Sequence, residues 1–77
     1  MIDVRKWVWE FDKAAMVCRN AQHQVIVKFE KAGNAYCGKV LDMPMALLGQ
    51  IAGVRHGERI IAQIVESAEE EFYKIVL

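Results

Sequence analysis

From Glu58 onward the apolar residues fall at Ile60, Ile61, Ile64, Val65, Ala68, Phe72 and Ile75, which trace one stripe along a helix. The opposite face carries Arg59, Gln63, Glu66, Glu70 and Lys74, and Glu70 stands four residues before Lys74 in the order that favours an ion pair. The spacing predicts an amphipathic helix over 58–72, roughly four turns long. A stripe that wide has to be buried against a broad apolar surface, so the rest of this 77-residue chain must supply one.

The middle of the chain supplies it. Val25, Val27 and Phe29 alternate with Ile26, Lys28 and Glu30, a period of two rich in β-branched residues. Ala32-Gly33-Asn34 turns the chain, and Tyr36, Gly38 and Val40 then alternate with Cys37, Lys39 and Leu41. Strands are expected at 24–31 and 35–41. Asp42-Met43-Pro44-Met45 reads as a helix start, since proline fits a first turn whose N–H has no partner. A short helix over 44–52 follows, presenting Met45, Leu48, Ile51 and Ala52, with Gly53 as terminator and Gly53 to Gly57 as a hinge.

Residues 4–19 admit two readings. Trp7, Trp9 and Phe11 alternate as in a strand, yet Val4, Trp7, Val8, Phe11, Ala15 and Cys18 also share a helical face, with Asp3 as its N-cap. An isolated two-stranded hairpin is marginal in water, which favours further strands at 6–11 and 15–19. The expected fold is α+β: a small antiparallel sheet of three to four strands, then two C-terminal helices packed on one face. It forms a single domain over 1–77. The expected core is Trp7, Trp9, Phe11, Val25, Val27, Phe29, Leu48, Ile51, Ile61, Ile64, Val65, Ala68 and Phe72.

Composition bears on what such a fold does. A chain of this size nets only about 3–5 kcal/mol from its own core and commonly needs a staple or a partner. Two cysteines make no disulfide framework, while 55% of the residues are apolar. The excess points to cover by another chain, and a second copy needs only one self-complementary patch. Phe72-Tyr73-Lys74-Ile75-Val76-Leu77 ends in large apolar side chains, and Glu69, Glu70 and Glu71 stand where the helix dipole disfavours them. Phe72, Tyr73, Ile75, Val76 and Leu77 are therefore the candidate interface, with residues 73–77 read as a short extended strand.

Net charge is zero, so no global field draws in nucleic acid or anionic lipid. Residues 1–42 carry seven Lys/Arg against five Asp/Glu, and residues 43–77 carry three against five, which reads as ordinary solvated surface. No apolar run is long enough to span a membrane, and the opening Met1-Ile2-Asp3-Val4-Arg5-Lys6 precedes no apolar core of signal length. A cytoplasmic, reducing setting is expected.

The chemistry-bearing residues are sparse. Gly33-Asn34-Ala35-Tyr36-Cys37-Gly38-Lys39-Val40 has the glycine and lysine spacing of a phosphate-binding loop, but Val40 replaces the Ser or Thr that would hold magnesium. Pro44 also leaves no room for the helix that should follow, so a β-turn is the better account. Cys18, His23, Cys37 and His56 could in principle ligate zinc, yet they lack the paired short spacings of a zinc motif. There is no threonine and one serine, Ser67, set mid-helix with no histidine to activate it. Glu10, Asp12, Glu30 and the acids of 66–71 follow polar faces or turns. No residue is assigned as catalytic, cofactor-binding or metal-ligating. A stand-alone enzyme is not expected, and an active site built across an oligomer interface is the one enzymatic option left.

Two functional readings follow. The first is a structural or protein-interaction module acting as a homo-oligomer or as an accessory subunit of another protein. The second is weak single-stranded nucleic-acid binding by a sheet face on which Trp7, Trp9 and Tyr36 stack bases beside Arg5, Lys6 and Arg19. Against the second stand the zero net charge and the need of helix 58–72 for those same aromatic rings.

Overall fold

The computed structural model describes residues 3–53 and 56–76. Four strands form one antiparallel up-and-down sheet: β1 (Glu10–Asp12), β2 (Val17–Asn20), β3 (Val25–Ala32) and β4 (Ala35–Asp42), in the order β1-β2-β3-β4. Two helices follow, α1 (Met45–Ala52) and α2 (Gly57–Val76). The α+β class and the order of strands before helices are as the sequence pattern predicts.

The β3–β4 hairpin closes on Gly33-Asn34, with Ala32 opposite Ala35. Gly33 takes φ +64°, a conformation glycine adopts without a Cβ penalty and one that matches strand twist in two-residue turns. The phosphate-loop spacing is therefore a hairpin. Val25, Val27 and Phe29 face the helices, and Lys28 and Glu30 face solvent. Val27 lies opposite Val40 but Ile26 lies opposite Asp42, so Leu41 is an extra residue that bulges β4 near its end.

The N-terminal stretch departs from expectation. Val4–Lys6 forms a 3-10 turn, with the Asp3 carboxylate accepting from the Arg5 amide at 3.2 Å. Trp7 and Trp9 are buried and Val8 between them is 77% exposed, so the alternation is real, but pairing starts only at Glu10 opposite Arg19. Extending that register would set Trp9 against Asn20 and Val8 against Ala21, where β2 has already entered its turn. The strand read at 6–11 is thus a three-residue strand at 10–12, and the second strand begins at Val17 rather than at residue 15.

Helix α2 runs further than its stripe alone implied, continuing through Val76, so Tyr73–Val76 are helical rather than extended; Leu77 lies outside the described residues. Glu71 and Lys74 pair at 3.6 Å in the last turns. Phe72 anchors the core: its ring stacks on Phe29 at 4.1 Å and 11°, and Phe11, Tyr36 and Tyr73 meet it edge-on at 5.1–5.5 Å. At α1 the buried residues are Leu47 and Ile51, so Leu48, assigned to the core by pattern, faces out instead. In an eight-residue helix Leu47 and Leu48 fit the periodicity equally well, and packing against the core selects between them. Val4, Val17 and Cys18 join the buried set, while Phe11, Ile61 and Val65 are half-buried. A Cβ on Gly57 would lie 2.9 Å from the Ile51 carbonyl oxygen, so glycine lets the two helices meet at this corner. The proposed hinge spans residues 54 and 55, which lie outside the described residues.

Candidate interaction surface

The sequence-nominated aromatic residues are engaged inside the fold. Trp9 donates its indole N–H to Ser67 Oγ at 3.0 Å, and that hydroxyl donates to the Val4 carbonyl at 3.2 Å. Trp7 stacks on His23 at 4.2 Å and 18°. Tyr36 is half-buried against Phe72, and its carbonyl accepts from the Tyr73 hydroxyl at 3.0 Å. Arg5 pairs with Asp3 at 3.0 Å and Arg19 with Asp12 at 3.1 Å. Lys6 is exposed at the end of the 3-10 turn. These six residues do not share a face: Arg5 and Lys6 sit on the N-terminal turn, Arg19 on the sheet side away from the helices, and Tyr36 on the helix side.

The nominated tail divides in the same way. Phe72 is fully buried, Tyr73 is half-buried and Ile75 is 53% exposed. Val76 closes α2, its side chain lying outside the described residues together with Leu77.

Two of the three nucleophilic side chains, Ser67 and Cys18, are engaged inside the fold. Ser67 has its hydroxyl engaged as both acceptor and donor. Cys18 is buried under α2 with its sulfur 3.6 Å from the Ala68 carbonyl, and burial, helped by the Glu71 carboxylate, pushes its thiol up to about 11. A thiol so raised stays protonated and unreactive at neutral pH. Cys37 lies exposed on β4, on the opposite side of the sheet from Cys18. Among the described residues no three of His, Cys, Asp and Glu gather as a metal would require.

Of the large apolar side chains left uncovered among the described residues, Val8 and Ile75 stand apart, and three lie where strand β4 passes into α1. Leu41 is 59% exposed, Met45 81% and Leu48 42%. No charged side chain occurs from Met43 to Gly53, and Gln50 is the one polar side chain. Met45 and Leu48 stand three apart and Ala52 four further, so they share the outer face of α1. The sequence pattern put Met45, Leu48, Ile51 and Ala52 on one face and took Leu48 and Ile51 as core; the structure buries Ile51 and leaves Met45 and Leu48 on the outer face. The absence of any charge on a short helix with two opposed apolar faces is the signal that could have marked it.

The second uncovered feature is the outer edge of β4, eight residues long. Across a two-residue hairpin the flanking pair is hydrogen-bonded, so Ala35, Cys37 and Lys39 turn their amides and carbonyls toward β3. Tyr36, Gly38 and Val40 turn theirs outward, and the Tyr73 hydroxyl on the Tyr36 carbonyl agrees with that phase. Among the described residues, the outward groups of Gly38 and Val40 meet no partner.

A groove of about 1020 Å³ runs between the N-terminal turn and α2, with Asp3, Glu66, Glu69 and Glu70 along it. It is open and acidic, and Asp3 is already occupied by Arg5. No helix among the described residues is long and apolar enough to cross a membrane. The chain matches no family model, no curated protein and no solved structure.

Proposed function

We propose that this chain is a small cytoplasmic protein-interaction module that works in company, as a homo-oligomer or as an accessory subunit. The observation that carries the reading is the charge-free α1, whose outer face offers Met45 and Leu48 to solvent, with Leu41 exposed a few residues before it in the chain. Methionine suits such a role because its flexible, polarisable side chain adapts to a partner surface. Uncovered apolar surface on a domain this small gains by burial against protein.

Nucleic-acid binding has less support. A base-stacking platform needs free ring faces, and Trp7 and Trp9 spend theirs on His23 and the core. Equilibrium sedimentation tests the interaction reading. The protein should self-associate at high micromolar concentration, and the exposed double substitution Met45→Lys/Leu48→Lys should weaken association while leaving the circular dichroism unchanged. A strict monomer at that concentration, with no effect of the double substitution, overturns it.

A further inference from the structure

We draw no further inference here: the strongest candidate, the small open cleft that Lys6, Trp7, His23, Leu47 and Gln50 line between the N-terminal turn and α1, carries nothing because the nearby buried Asn20 Nδ2, left without a hydrogen-bond partner among the described residues, does not line it, and nothing in the structure shows what would fill it.

Discussion

Replacing Ser67 with alanine is the sharpest probe of how the N-terminal segment is held. Ser67 Oγ is the acceptor for the Trp9 indole N–H and a donor to the Val4 carbonyl. The Val4 carbonyl also accepts from the Trp7 amide at 3.2 Å, so it keeps one partner when the hydroxyl is removed. The Trp9 N–H has no other partner among the described residues, and an unsatisfied buried donor costs about 1–3 kcal/mol. Alanine returns a few tenths of a kcal/mol in helix propensity, leaving a net loss of about 1–2 kcal/mol. Against a core that nets about 3–5 kcal/mol, that is a large fraction of the whole. Melting should fall by about 4–8 °C for each kcal/mol lost in a domain of this size. Urea denaturation followed by tryptophan emission should show a lower midpoint with an unchanged slope. In a Trp9→Phe background the same substitution should cost nearly nothing, because the donor is already gone. A Ser67→Ala loss below about 0.5 kcal/mol, or an equal loss in both backgrounds, would refute the claim that this hydroxyl pins Trp9 in the core.

Gly38→Ala should destabilise by about 1–3 kcal/mol through overpacking, since its Cβ would lie 2.9 Å from a Phe29 ring locked on Phe72; a neutral result by urea midpoint contradicts the packing. Gln24, exposed and held at φ +56°, should gain about 0.5–1 kcal/mol on change to glycine, read as a raised melting temperature. The Cys18 thiol holds its proton up to about 11 when folded and ionises at lower pH when unfolded. Its contribution to stability is complete below the unfolded value and is lost as pH climbs toward 11, so Cys18→Ala should flatten the alkaline limb of a stability–pH profile. Asp12 behaves oppositely. The Ala15 amide and Arg19 hold its carboxyl below the usual range, so its small contribution is present above that range and fades as pH falls through it; Asp12→Asn should remove the dependence.

The strands and helices that proved legible are those whose burial pattern repeats over several periods. Helix α2 and the β3–β4 hairpin carry their faces in the residue order, because each side chain's neighbours along the element decide its exposure. The short pieces were not legible. Trp7 and Trp9 alternate like strand residues and are buried like strand residues. Whether they lie in a strand depended on β2 still running alongside, and β2 turns at Ala21. Leu47 and Leu48 could not be ranked for the same reason: a helix of about two turns leaves its phase open until something packs on it. The candidate tail was legible as apolar but not as interior, since Phe72 owes its burial to rings from β1, β3 and β4.

Residue order by itself determined the α+β class, the hairpin at Gly33-Asn34 and an apolar content greater than a small core comfortably hides. These follow from local periodicity and from the ratio of surface to volume, which need no coordinates. Tertiary structure alone decided where that excess is exposed. It drew the tryptophans and Phe72 inward and left Val8, Leu41, Met45, Leu48 and Ile75 at the surface. Burial is a competition among all apolar groups for a limited interior, and its outcome depends on which elements meet.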